Sequence, residues 1–99
     1  MSYRLRVSEA AQKDLERLFE FLAAHDLPSA IKAREAIEKA YELVEFMPFA
    51  CRKADESNPF LREAIIPFGS AGYVALFEVE SNETVTVLAI RHQREEDFY

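Results

Sequence analysis

The hydrophobic period of this chain changes at Met47-Pro48. From Ser8 to that point apolar residues recur every three or four positions. After it they alternate or run together between turn residues. A chain of 99 residues with helical period in its first half and strand period in its second is restricted to few layouts. The simplest is α+β, with a pair of helices covering one face of a small sheet. No apolar run approaches the length of a membrane span. The opening residues, MSYRLRVSEA, lack the apolar core of an export signal.

The elements follow from the pattern. Residues 3–7 alternate, with Tyr3, Leu5 and Val7 on one side and Arg4 and Arg6 on the other, which reads as a first strand. Ser8 is placed to cap a helix carrying Ala11, Leu15, Leu18, Phe19 and Leu22 on one face and ending near Ala24. Asp26 or Ser29 caps a second helix, with Pro28 in its first turn and Ala30, Ala33, Ile37, Ala40, Tyr41 and Val44 as its stripe. Pro48 stops it, because the residue before a proline avoids the helical region. The short connection implies an antiparallel helical hairpin. Phe49–Asn58 reads as a polar loop holding the adjacent cations Arg52 and Lys53. Leu61–Ile66 reads as a strand closed by Pro67. Tyr73–Glu80 reads as a longer, central strand, and Thr84–Arg91 as another, joined through Ser81-Asn82-Glu83. The expected order is β-α-α-β-β-β: an N-terminal strand, the hairpin, then a three-stranded antiparallel meander in one domain over residues 1–99.

Charge narrows the partners. Twelve Lys and Arg oppose eighteen Asp and Glu, for a net charge of −6. Proteins that hold nucleic acid across their surface are normally basic, so sequence-specific DNA binding is not expected. The single cysteine, Cys51, forms no internal disulfide and suits a reducing cytoplasm. With only His25 and His92 available, a zinc cage is not expected, and no phosphate-cradling glycine loop is present. A Cys51–His92 nucleophile pair lacks any visible activator.

Chemistry concentrates near the C-terminus. There the apolar run Val87-Leu88-Ala89-Ile90 leads into Arg91-His92-Gln93-Arg94, followed by Glu95-Glu96-Asp97-Phe98-Tyr99. Arg62 lies on another strand of the same sheet. Arg side chains brought to one face would hold a phosphate or carboxylate by forked hydrogen bonds. The same cations could instead pair with neighbouring carboxylates and finish the sheet edge. His92 brings an imidazole, a side chain suited to general acid–base work. Leu18, Phe19 and Leu22 give the first helix more apolar surface than one small sheet needs, which fits either a core or a docking groove.

Several segments, in this order, resemble the RelE/ParE superfamily of type II toxin–antitoxin toxins, also called plasmid stabilization proteins. Strand 3–7 leading into Ser8-Glu9-Ala10-Ala11-Gln12-Lys13-Asp14-Leu15 is similar to the family's strand-to-helix entry. Pro48 with Arg52 resembles its proline–arginine segment, and Leu61-Arg62-Glu63 with Gly72–Val79 its central hairpin. The tail Val87–Arg94 resembles the ParE-type ending. The resemblance implies a cytoplasmic toxin that needs no cofactor or metal and is neutralised by a cognate antitoxin whose C-terminal segment wraps over it. RelE-like members cut mRNA on the ribosome; on that branch Arg62, His92, Arg94 and Tyr99, with Arg52 and Lys53, would be the nuclease set. ParE-like members inhibit DNA gyrase by binding it. A charge of −6, and three carboxylates directly after Arg94, favour the ParE-like branch and a protein that is not an enzyme; the alternatives are the RelE-like nuclease and a non-toxic homologue that acts only as a partner-binding module. The antitoxin- or target-binding residues expected are Leu18, Phe19, Leu22, Arg91, His92 and Arg94. Homodimerisation is left open.

Overall fold

The computed structural model describes residues 2–69 and 71–93. The elements are β1 (Arg4–Val7), α1 (Glu9–Ala23), α2 (Leu27–Phe46), a 3₁₀ turn (Pro48–Ala50), β2 (Arg52–Asp55), β3 (Asn58–Phe68), β4 (Ala71–Val79) and β5 (Thr84–His92). The sheet order is β1-β5-β4-β3-β2. All pairings are antiparallel except that of β1 with β5. Both helices pack on one face, α1 along β5 and α2 across β3. This is the α+β hairpin-on-sheet layout that the change of period implies.

The helix caps are the ones the sequence offers. The Ser8 hydroxyl accepts the Ala11 N–H at 3.1 Å and donates to the Leu88 carbonyl at 3.2 Å. Asp26 accepts the Ser29 N–H at 3.3 Å and the Ser29 hydroxyl at 2.6 Å. Met47 leaves the helical region at φ −141°, ψ 65°, as a residue before proline should.

Two stretches differ from expectation. Residues 49–58 are not merely a loop: they contain the 3₁₀ turn and β2. A four-residue edge strand with three exposed positions carries no hydrophobic alternation to betray it, and Arg52 and Lys53 on it discourage further strand pairing. β3 also starts earlier, at Asn58, and runs through Pro67. β2 pairs with β3 only as far as Glu63. Beyond that rung β3 is itself an edge, where a proline costs no ladder bond.

The core lies between helices and sheet. Ala11, Leu18, Ala33, Ile37 and Val44 from the helices meet Ala64, Ile66, Tyr73, Ala75, Phe77, Val79, Val85, Val87 and Ile90 from the strands. One irregularity decides which residues of β5 join it. Leu76 pairs with Ala89 but Phe77 pairs with Val87, so Leu88 is a bulged extra residue. Strict alternation would put Val85, Val87, Ala89 and Arg91 on one face. The bulge instead directs Val85, Val87, Ile90 and His92 to the helices and turns Arg91 to the helix-free side.

The edge of β5 is closed in two stages. β1 covers only Thr84–Val87. Past it α1 takes over: the Ser8 N–H donates to Val87 O at 2.9 Å, and the Asp14 carboxylate accepts the Ile90 N–H at 2.9 Å.

Candidate functional site

A groove of about 240 Å³ opens between α1 and α2. Its α1 wall is Leu15, Leu18, Phe19 and Leu22, its α2 wall includes Ala30, Ala33 and Ile37, and Tyr73 of β4 lies at its floor. The groove exists because the inward face of α2 is built from alanines at this end. Two methyl groups cannot fill the space that leucine side chains hold open across from them. Glu16, Glu20, Gln12 and Arg34 form the rim, and the Arg34 guanidinium sits 4.9 Å from the centre of the Phe19 ring. Phe21, Leu27 and Ile31 are exposed near the hairpin tip, extending the apolar surface beyond the groove.

The Tyr73 ring meets His92 edge-on, centroids 5.6 Å apart at 87°, and lies 6.0 Å from Phe68. Burial pushes the Tyr73 phenol above its ordinary range, so it remains a neutral hydroxyl at any physiological pH. The groove can therefore seat an apolar helix face by shape and dispersion.

Four of the expected binding residues meet here. Leu18, Phe19 and Leu22 line the groove, Leu18 as its buried base, and His92 joins through Tyr73. Arg91 does not; the bulge sends it to the opposite face of the sheet. Arg94 and Tyr99 fall outside the described residues. Ala30, Ala33 and Arg34 are the contributors not singled out beforehand. The signal in the sequence is the pair of alanines three apart on the α2 stripe.

The other cations do not converge with these. Arg62 donates from Nε to Pro59 O at 2.7 Å and from Nη1 to Cys51 O at 2.9 Å, and lies 5.0 Å from the Phe49 ring centre. It stands four residues along β3 from Ile66, on the Ile66–Tyr73–His92 rung, which is about 13 Å. Arg52 pairs with Glu63 at 3.0 Å. The expectation that Arg62 and Arg91 share a face is thus corrected: they lie on opposite faces, because the period-two reading of β5 omits the bulge. Cys51 is half-buried, and burial pushes its thiol up against the opposing pull of Arg62, which leaves a poor nucleophile.

Comparison with known proteins bears on the whole chain. Among solved structures, it is similar to the chromosomal ParDE TA system from P. aeruginosa, at 18% identity and a TM-score of 0.72 over 92% of this chain and 96% of that one. It is also similar to the toxin–antitoxin complex RelBE2 from Mycobacterium tuberculosis, at 21% identity and a TM-score of 0.59 over 93% and 99%. At these identities the likeness speaks for the fold. No curated protein matches the chain. The family model for the ParE toxin of type II toxin-antitoxin system, parDE, matches residues 5–97. Apart from Arg4 that span takes in all the described strands and both helices, including those that build the groove, and the chain belongs to the ParE toxin family of type II toxin–antitoxin systems.

Proposed function

We propose that the chain is the toxin of a two-protein addiction system, that an amphipathic segment of its cognate antitoxin occupies the α1–α2 groove, and that the free toxin acts in the cytoplasm by binding DNA gyrase rather than by cutting RNA. The observation that carries the choice of target class is the placement of the cations. Arg62 is committed to backbone carbonyls, and Arg91 and His92 leave the sheet on opposite faces. The described residues thus assemble no clamp for a scissile phosphate, which a metal-free ribonuclease needs beside its proton-transfer groups. The net charge of −6 supports the same choice, since a ribosomal site lined with phosphates would repel most approaches of this surface. Support for the antitoxin site comes from the groove's apolar walls and charged rim, the usual form of a helix-in-groove receptor.

The test is induced expression in a growing bacterium, with and without the antitoxin, following the DNA-damage response and mRNA integrity together. Arrest with induced damage response, intact transcripts and rescue by the antitoxin is expected. Rapid transcript cleavage would overturn the target assignment. In purified form, Phe19→Ala should weaken antitoxin binding about tenfold or more, the scale of one well-packed aromatic contact. An unchanged affinity would move the antitoxin elsewhere.

A further inference from the structure

The far end of the sheet carries a second apolar surface. Tyr3, Phe49, Phe60 and Val79 line a depression of about 350 Å³, with Glu80 at its edge. Phe49 and Phe60 meet edge-to-face at 6.2 Å, yet remain 46% and 52% exposed. Phe46 and Met47, exposed at the adjoining end of α2, continue the apolar surface. Val79 and Tyr73 stand six residues apart on β4, so this depression lies about 20 Å from the floor of the groove. A partner in one leaves the other open.

The charge around it selects the occupant. The Glu45 carbonyl holds the Tyr3 N–H, the Glu83 carbonyl holds the Arg4 N–H, and Asp55 and Glu56 sit at the turn just before β3. With Glu80, whose carboxylate accepts the Thr86 hydroxyl at 2.6 Å, these put five acidic residues at one end of the sheet, Asp55 bonding Ser57 with its own carboxylate. Of the cations there, Arg52 is paired with Glu63 and Arg62 is held by carbonyls, leaving Arg4 and Lys53 among the described residues. Such a rim repels nucleic acid, an anionic bilayer and a second copy of this chain alike, and attracts lysine and arginine.

We propose that this aromatic depression docks a basic segment of a partner protein, an apolar side chain seated against Phe49 and Phe60 and cationic side chains against the carboxylate rim. Exposed aromatic rings beside opposing charge are the composition of an interface centre and its rim. The inference concerns a surface separate from the groove and holds whichever macromolecule the toxin poisons.

The test uses the purified full chain and a short fluorescent peptide alternating lysine and leucine, read by anisotropy. A matched peptide carries glutamate in place of lysine. Saturable binding of the lysine peptide is expected, with none of the glutamate peptide. Phe60→Ser should weaken it about tenfold. The double charge reversal Glu80→Lys/Glu83→Lys should weaken it comparably without touching the aromatic rings, and Phe19→Ala in the groove should leave it unchanged. Circular dichroism confirms that each variant is folded. Absence of saturable binding, equal binding of the glutamate peptide, or indifference to both Phe60→Ser and the charge reversal would overturn the proposal. So would dimerisation of the wild-type chain that Phe60→Ser abolishes, since that would assign the surface to a second copy.

Discussion

Arg62 directs its guanidinium to the carbonyls of Pro59 and Cys51 and lays it against Phe49, tying the start of β3 to the turn that precedes β2. Two directed bonds from one planar fork are a structural arrangement that an ammonium group cannot copy. Arg62→Lys should lower unfolding free energy by about 1–2 kcal/mol, checked by denaturant titration. Toxicity per folded molecule should be unchanged, whereas a nuclease clamp would lose activity outright. Gly72 is constrained differently. A Cβ there would run into the Ile66 carbonyl across the β3–β4 pair, so Gly72→Ala should cost about 2 kcal/mol or more and register as a lower melting temperature. Residues with local jobs were legible in the sequence: Ser8 and Asp26 cap where capping chemistry says they should. Arg91 and His92 were legible as a polar cluster but not as residues on opposite faces. A single bulged residue, Leu88, inverts the alternation, and nothing local announces it.

Elements show a similar division between what is locally encoded and what tertiary pairing supplies. Both helices could be read from their stripes and caps, the start of α2 being left between Asp26 and Ser29 until the structure places the cap at Asp26. β2 could not, because its strand state comes from lying beside β3 and not from its own composition. The alanines of α2 were legible as a stripe, while the groove they leave depends on the leucines opposite. The junction of α1 with β5 is the element-scale feature most open to test. Removing the Asp14 carboxylate orphans the Ile90 N–H. Asp14→Ala should therefore destabilise the protein by about 1–2 kcal/mol and speed amide hydrogen exchange at Ile90 more than at Val85 or Val87, which β1 still covers. The cap of α2 gives a pH dependence. The Ser29 hydroxyl, then its N–H, hold the exposed Asp26 carboxylate below its ordinary value of 3.8. A lowered carboxylate stabilises the fold above its unfolded-state value and loses that contribution as pH falls through the folded one. Asp26→Asn keeps a capping oxygen but no titrating group, so its stability should fall less steeply in that acid range, as followed by circular dichroism.

At the scale of the whole molecule, the layout divides labour by position. Helix-facing surfaces at one end form a groove, aromatic rings at the other end form a depression, and the acidic charge governs what approaches either. A generic single-stranded RNA should not bind the purified protein at physiological salt in a filter assay, and lowering the salt should not rescue binding, since screening a repulsion and then unscreening it cannot create attraction. The bonds that fasten β5 to Ser8 and Asp14 join residues roughly eighty positions apart, the Ser8–Leu88 pair among them. During synthesis on a ribosome, β1 and α1 emerge long before the strand they must grip. Until β5 has been made, the Ser8 hydroxyl lacks its Leu88 acceptor, the Asp14 carboxylate lacks the Ile90 N–H, the inner edge of β1 is unpaired, and the Tyr73–His92 floor does not exist. A nascent chain therefore cannot present a finished groove or a finished sheet. Contacts this distant also fold slowly. Under the proposed function, an antitoxin already present in the cell meets the chain before its last strand, and so before its finished sheet, exists.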